Sequence, residues 1–373
     1  MTSDSSAARA RDILVRPFSV GGLALPNRIA MAPMTREFSP GGVPGPDVAA
    51  YYARRASAGV GLVITQGTYV GHDSAGTSDR VPRFHGDDAL AGWAGVVDAV
   101  HRAGGRIVPQ LWHMGMERAA GTPPVPRAPR VGPSGIALDG TRSGRAMTGA
   151  DIDDVVAAFA AAAGAAERLG FDGVELHGAH GYLIDQFLWA DTNRRTDAYG
   201  GDPVRRTRFA AEVVAACRRA VSADFPILFR MSQWKFGVYE ARLAETAREL
   251  EAVLTPLAAA GVDVFHCSTR RFSQPEFAGS DLNLAGWAKK ISGKATISVG
   301  SVGLDNEFTE AFQGDQGRVT GIEGLLDRLE REEFDLVAVG RALLADPEWA
   351  AKILSGRTNE LEPFDVRMLG TLY

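Results

Sequence analysis

Three side chains with chemical capability stand close together in the chain, in the pattern His177-x-x-His180-x-Tyr182. Two neutral imidazoles can donate hydrogen bonds to one substrate oxygen and stabilise negative charge developing there, each by on the order of 3 kcal/mol in a dry site. A phenol two residues on is a weak acid placed to give a proton. Histidines at i and i+3 could also begin a zinc site. A metal site needs a third ligand and an open position, and no HExxH or carboxylate pattern near His177 supplies them, so no metal is expected. A lone loop histidine is more often satisfied by a backbone carbonyl; the three together at the end of an apolar run favour the chemical reading.

Other polar residues end apolar runs in the same way. Arg230 closes Pro226-Ile227-Leu228-Phe229-Arg230, where a guanidinium calls for an anionic or electron-rich partner. A salt bridge to a loop carboxylate is the rival reading. Gln110 closes another run and offers a donor and an acceptor to the edge of a heterocycle. Gly300-Ser301-Val302-Gly303 and Gly340-Arg341 follow late runs, where backbone N–H groups and an arginine fork can hold a phosphate. Plain strand-ending turns explain those glycines equally well.

These residues need a scaffold that brings strand ends together. Eight runs rich in Val, Ile, Leu and Phe read as parallel strands buried on both faces: 28–34, 61–65, 106–111, 173–177, 227–231, 262–266, 295–299 and 336–340. Helical patterns alternate with them at 47–58, 87–103, 151–169, 203–221, 241–260, 282–291, 304–331 (broken at 314–324) and 347–354. Asp151 with Asp154 resembles a helix N-terminal cap. Eight alternations favour a TIM (β/α)8 barrel over an open doubly wound sheet, and in such a barrel chemistry sits at the C-terminal ends of the strands. Residues 1–12 are small and polar and read as a disordered tail, residues 13–25 as an N-terminal hairpin turning at Gly21-Gly22. Long capping loops are expected at 115–147 and 268–280, the first folding over the barrel mouth.

Composition narrows the classes. The 373 residues carry a formal charge of −5 and no long basic run, which argues against nucleic acid and anionic membrane as partners. Two cysteines without ligand-like spacing argue against a disulfide framework, a zinc ribbon or an iron–sulfur cluster. No apolar stretch spans a bilayer and MTSDSSAARARD lacks a signal-peptide core, so a cytoplasmic protein is expected.

Met31-Ala32-Pro33-Met34-Thr35-Arg36, Gln110-Leu111-Trp112-His113 and His177-Gly178-Ala179-His180-Gly181-Tyr182-Leu183 resemble motifs of the Old Yellow Enzyme family in order and spacing. So do Asp185-Gln186-Phe187-Leu188 and the stretch from Asn193 to Gly201. The resemblance implies that residues 13–373 form a single FMN-binding TIM-barrel domain with tightly bound, non-covalent FMN and NADPH or NADH as transient reductant. Pro33, Met34 and Gly67 would lie against the isoalloxazine, Thr35 would bond its C4 oxygen, and Gln110 would meet the pyrimidine edge. Arg230 would stabilise charge at N1 and O2, while Gly300, Ser301, Gly340 and Arg341 would hold the phosphate. His177 and His180 would bind the substrate carbonyl beside Trp112, with Tyr182 as proton donor. The implied function is an ene-reductase passing hydride from NAD(P)H through flavin N5 to the β-carbon of a small-molecule enone. An isomerase or dehydrogenase on the same scaffold, a non-catalytic flavin carrier and a metal-dependent hydrolase are the rivals. Relatives occur in several assembly states, so a homo-oligomer is compatible with the sequence. Two departures stand out: Gln66 where the family often has Glu, and Met116 where it often has Arg. Met116 puts substrate choice at the start of the first capping loop in question.

Overall fold

The structure, a computed structural model, describes residues 3–312 and 317–373. The chain opens with helix α1 (Ser3–Leu14) and a hairpin of β1 (Phe18–Val20) and β2 (Leu23–Leu25). Strands β3 (Ile29–Met31), β4 (Leu62–Tyr69) and β5 (Arg106–Trp112) follow, separated by α2 (Pro46–Ser57) and α3 (Asp87–Arg102). An excursion after β5 carries the two-residue strands β6 (Val131–Gly132) and β7 (Arg145–Ala146) before α4 (Gly149–Arg168). Next come β8 (Val174–His177), α5 (Leu183–Leu188), α6 (Pro203–Ala220), β9 (Ile227–Ser232), α7 (Ala247–Ala260) and β10 (Val264–Ser268). The chain continues through α8 (Leu284–Ser292), β11 (Ala295–Val299), α9 (Phe308–Phe312), α10 (Glu323–Glu330), β12 (Leu336–Val339), α11 (Arg341–Ala345) and α12 (Trp349–Ser355).

Strands β3, β4, β5, β8, β9, β10, β11 and β12 close into one parallel barrel in that order, as the eight apolar runs predict. Their side chains are buried nearly throughout, because one face fills the barrel and the other packs under the helices. Leu62, Val108, Leu228, Val264, Ile297 and Leu336 fill the interior, and Leu23 and Leu25 of the hairpin join the same cluster. The hairpin thus plugs the N-terminal end, tied there by the Gly22 N–H donating to the Asp224 carbonyl at 2.6 Å.

Several sequence expectations are corrected. The tail expected to be disordered over residues 1–12 is helical from Ser3 onward in α1, whose Ala10, Ile13 and Leu14 are buried. Their i, i+3, i+4 spacing gives one apolar stripe, and burying the two large side chains stabilises the helix by roughly 1.5–3 kcal/mol each. Helix α4 is capped by Thr148 rather than Asp151; Asp151 completes a capping box as its third residue. Helix α7 starts at Ala247, where the Thr246 side chain accepts from Glu249 N–H. Helices α5 and α11 were not expected. The break expected at 314–324 begins on residues 314–316, outside the described residues.

Candidate active site

Every site residue named from the sequence lines one cavity of about 370 Å³ at the C-terminal end of the barrel. Pro33, Met34 and Thr35 follow β3, Gly67 lies on β4, and Gln110 and Trp112 end β5. His177, His180 and Tyr182 come from β8 and the turn after it, Arg230 from β9, Gly300 and Ser301 from the end of β11, Gly340 and Arg341 from the end of β12.

Local geometry explains why some positions must be small. The β4–β5 register slips between Ile64 and Gly67, and a Cβ at Gly67 would stand 2.6 Å from Cε3 of Trp112. Gly67 therefore lets the indole close one wall. Trp112 meets Tyr182 edge-on at 4.8 Å, and His177 meets Tyr182 at 5.0 Å and His180 at 5.1 Å, all between ring centroids. The two imidazoles and the phenol thus share one wall.

The turn that presents them is held tightly. His180 adopts φ 64°, a left-handed backbone that costs most residues energy but that His and Asn enter more readily. Its N–H donates to Ser232 Oγ at 2.9 Å, its carbonyl accepts from Phe236 N–H at 3.0 Å, and its ring stacks on Trp234 at 4.4 Å. The Gly181 N–H donates to Asp185 Oδ2 at 2.7 Å, and Asp185 Oδ1 receives Lys235 Nζ at 2.8 Å in an ion pair with both side chains fully buried.

Hydrogen bonding also orients the two imidazoles. Ala179 N–H donates to His177 Nδ1 at 3.4 Å, so the proton sits on Nε2. Ser268 Oγ lies 3.4 Å from Arg230 Nη2 and 2.8 Å from His180 Nε2. Ser268 Oγ thus holds the His180 ring at Nε2 while it also meets Arg230. Burial, and then the Arg230 charge, holds both imidazoles well below the usual 6.5, so both are neutral donors. Burial raises the Tyr182 phenol, with Glu117 adding to it, which keeps the hydroxyl protonated.

On the cavity floor, Arg230 is 7% exposed and makes no salt bridge among the described residues; its Nε has no partner. The rival reading of a loop ion pair is therefore not what the structure shows. Burial lowers the guanidinium to about 10, opposed chiefly by Glu175. Trp112 Nε1 is likewise buried without a partner. Gln110 Nε2 donates to Glu175 Oε1 at 2.8 Å, and His266 Nδ1 donates to Glu175 Oε2 at 2.6 Å. At the far end, Arg341 donates to Asn306 Oδ1 at 2.7 Å, the Glu307 carbonyl at 3.1 Å and the Asn306 carbonyl at 2.7 Å. It braces the loop after β11 against the start of α11.

The capping loops divide differently from expectation. Among the described residues none of 115–147 lines the cavity; that loop packs beside α5, where Met116 N–H donates to Gln186 Oε1 at 3.0 Å. Met116 is fully buried under Gly132 and Gly144, so it does not face a substrate there. The second loop does cover the cavity, through Ser268, Thr269 and Arg270, joined by Trp234, Phe236 and Tyr239. Gln66 points away from the cavity lining and accepts from Arg36 N–H at 2.8 Å, fixing the turn after β3. The sequence reading missed the contact of Ser268 with His180 and the Glu175–His266 pair; a carboxylate inside a buried strand was the available signal for the last.

No helix among the described residues is long and apolar enough to cross a membrane, and no three His, Cys, Asp or Glu side chains gather there as a metal site would require. Compared with known proteins, the chain is 35% identical over 350 residues to an NADH oxidase of Thermoanaerobacter brockii, covering 92% of this chain and 50% of that protein. It is 39% identical over 216 residues to a putative 12-oxophytodienoate reductase 2 of Oryza sativa subsp. japonica, 56% of this chain and 57% of the other. The chain thus spans about half the length of the curated relatives it matches. Among solved structures, morphinone reductase in complex with tetrahydroNAD superposes with a TM-score of 0.77 at 30% identity, covering 95% of this chain and 93% of that one. An Old Yellow Enzyme from Pichia sp. AKU4542 gives 0.80 at 25% identity, over 96% and 90%. The NADH:flavin oxidoreductase / NADH oxidase family model matches residues 13–360. With its barrel, its strand-end residues and that match, the chain belongs to the NADH:flavin oxidoreductase / NADH oxidase family and shares the Old Yellow Enzyme barrel.

Proposed function

We propose that the chain is an FMN-dependent ene-reductase that uses NADPH or NADH to reduce the carbon–carbon double bond of an α,β-unsaturated carbonyl compound, with Tyr182 as proton donor. The observation that carries this reading is the single wall on which His177, His180 and Tyr182 converge above a floor of Gln110 and Arg230.

The residues present fit FMN. Arg230 Nε and Trp112 Nε1 are buried N–H groups without protein partners, and no described protein group hydrogen-bonds Gln110 Oε1, which leaves it for an imide N–H. Pro33, Met34, Thr35 and Gly67 would meet the isoalloxazine, Gln110 and Arg230 its pyrimidine edge, and Gly300, Ser301, Gly340 and Arg341 the phosphate end. When bound, FMN supplies the hydride chemistry, taking hydride from the nicotinamide and giving it to the β-carbon.

The chain's own groups do the rest. His177 Nε2–H and the His180 imidazole donate to the substrate carbonyl oxygen, where negative charge grows as the β-carbon is reduced. Being neutral, they polarise the carbonyl without adding another buried cation beside Arg230. Tyr182 gives its phenolic proton to the α-carbon, so the double bond gains one hydride and one proton. Trp112 and Trp234 form apolar walls that orient the alkene and exclude water.

An absorption spectrum of the purified chain tests this. A yellow flavin band should bleach with anaerobic NADPH and return on addition of 2-cyclohexenone. A chain that cannot take up FMN defeats the proposal, and a band that bleaches but does not return assigns a different acceptor.

A further inference from the structure

Beneath the cavity floor lies a carboxylate to which the reaction described above gives no task. Glu175 is on β8 and fully buried, and its two oxygens are taken by residues from two other strands: Gln110 from β5 and His266 from β10. The partners are 2% and 0% exposed. A carboxylate accepts and does not donate, so the end of the Gln110 amide that faces it is the NH2 group. The carbonyl end, Gln110 Oε1, is thereby turned toward the cavity. His266 fixes the carboxylate in turn. Its Nδ1 carries the donated proton, and its Nε2 is left buried without a partner.

Glu175 is also the opposing charge that acts most on Arg230. Arg230 and His266 are register partners on β9 and β10, and Gln110 and Glu175 are register partners on β5 and β8. The two pairs sit two residues apart in register, Glu175 beside Leu228 and Arg230 beside His177, so the one carboxylate among the four side chains lies a step below the one cation.

Resting on the reading that FMN occupies the cavity, we infer that Glu175 is a positioning residue for the flavin: it locks the Gln110 amide in the orientation that receives the pyrimidine imide, and its charge offsets Arg230, holding the potential of the bound flavin down. A neutral residue there would leave Arg230 uncompensated beside a ring that gains negative charge on reduction, and reduction would become easier.

Two variants separate the two tasks. Glu175→Gln removes the charge and has one oxygen for two donors, so the Gln110 amide loses its lock. FMN affinity should fall about tenfold, as expected for a buried hydrogen bond left unmade. The two-electron equilibrium should shift about tenfold toward reduced flavin, a rise of about 30 mV. Glu175→Asp keeps the charge but withdraws it by one methylene. It should lose a similar share of FMN affinity and keep the wild-type equilibrium within about threefold. Affinity is read by FMN titration of the apo chain, and potential by equilibration with a reference dye. Folded variants with wild-type affinity and potential overturn the inference. If Glu175→Gln does not fold, unchanged FMN affinity in Glu175→Asp overturns it by itself. A wild-type chain that binds no FMN overturns this inference and the proposed function together; a wild-type chain that binds FMN beside indistinguishable variants overturns this inference only.

Discussion

At the scale of single residues, the site divides into groups that touch the reacting atoms and groups that tell them where to point. In the proposed reaction Tyr182 belongs to the first kind. Its phenol has no hydrogen-bond partner among the described residues, and burial keeps it protonated, so its acidity is available only to what enters the cavity. Tyr182→Phe should slow enone reduction by about a hundred- to ten-thousandfold and leave flavin reduction by NADPH nearly unchanged, because the first step moves no proton through the phenol. Stopped-flow traces of the two half-reactions check this, and equal losses in both would remove Tyr182 from the donor role. Residues of this first kind were legible in the sequence, because polar side chains at the ends of apolar runs are conspicuous. The second kind was not. Glu175 meets Gln110 across 65 residues of chain and His266 across 91, so its meaning appears only when β5, β8 and β10 are neighbours. Ser268 is silent for the same reason: its service to His180 spans 88 residues.

At the scale of elements, the eight strands were readable because a strand buried on both faces is a continuous apolar run. Helix α5 was not, because all six of its residues are buried and it therefore shows no amphipathic stripe. That hidden helix carries Asp185, half of the buried pair with Lys235. The pair ties the helix to the segment after β9 and, through the Gly181 N–H, fixes the turn that holds His180 and Tyr182. Lys235→Met should cost about 3–5 kcal/mol of stability, since it strands a carboxylate in the interior. The double variant Asp185→Leu with Lys235→Met should regain most of that loss while the Gly181 amide goes unsatisfied. Denaturant unfolding of the three chains checks the order, and a single variant as stable as wild type would show that the pair does not hold the turn.

At the scale of the whole molecule, the barrel interior is dry enough to change how the fold responds to acid. His113, His177 and His266 are at most 5% exposed, and burial first of all holds each imidazole below the ordinary 6.5. Unfolding returns them to that value, so below 6.5 the unfolded chain binds more protons than the folded one. Stability contributed by these groups is complete above that pH. As pH falls it is lost, by about 1.4 kcal/mol per pH unit for each histidine until its folded value is reached. The urea midpoint should hold near neutrality and drop steeply toward about pH 5, and a flat profile over that range would contradict the buried-neutral assignment.

The hairpin plug has a further consequence for traffic. With Leu23 and Leu25 packed into the N-terminal end, the cavity lies at the opposite end, lined by the strand ends and by the segments around Trp234 and Arg270. In the proposed reaction, reductant and acceptor share that one chamber, one after the other. Each then becomes an obstacle to the other when abundant, and the queue itself sets the order of events.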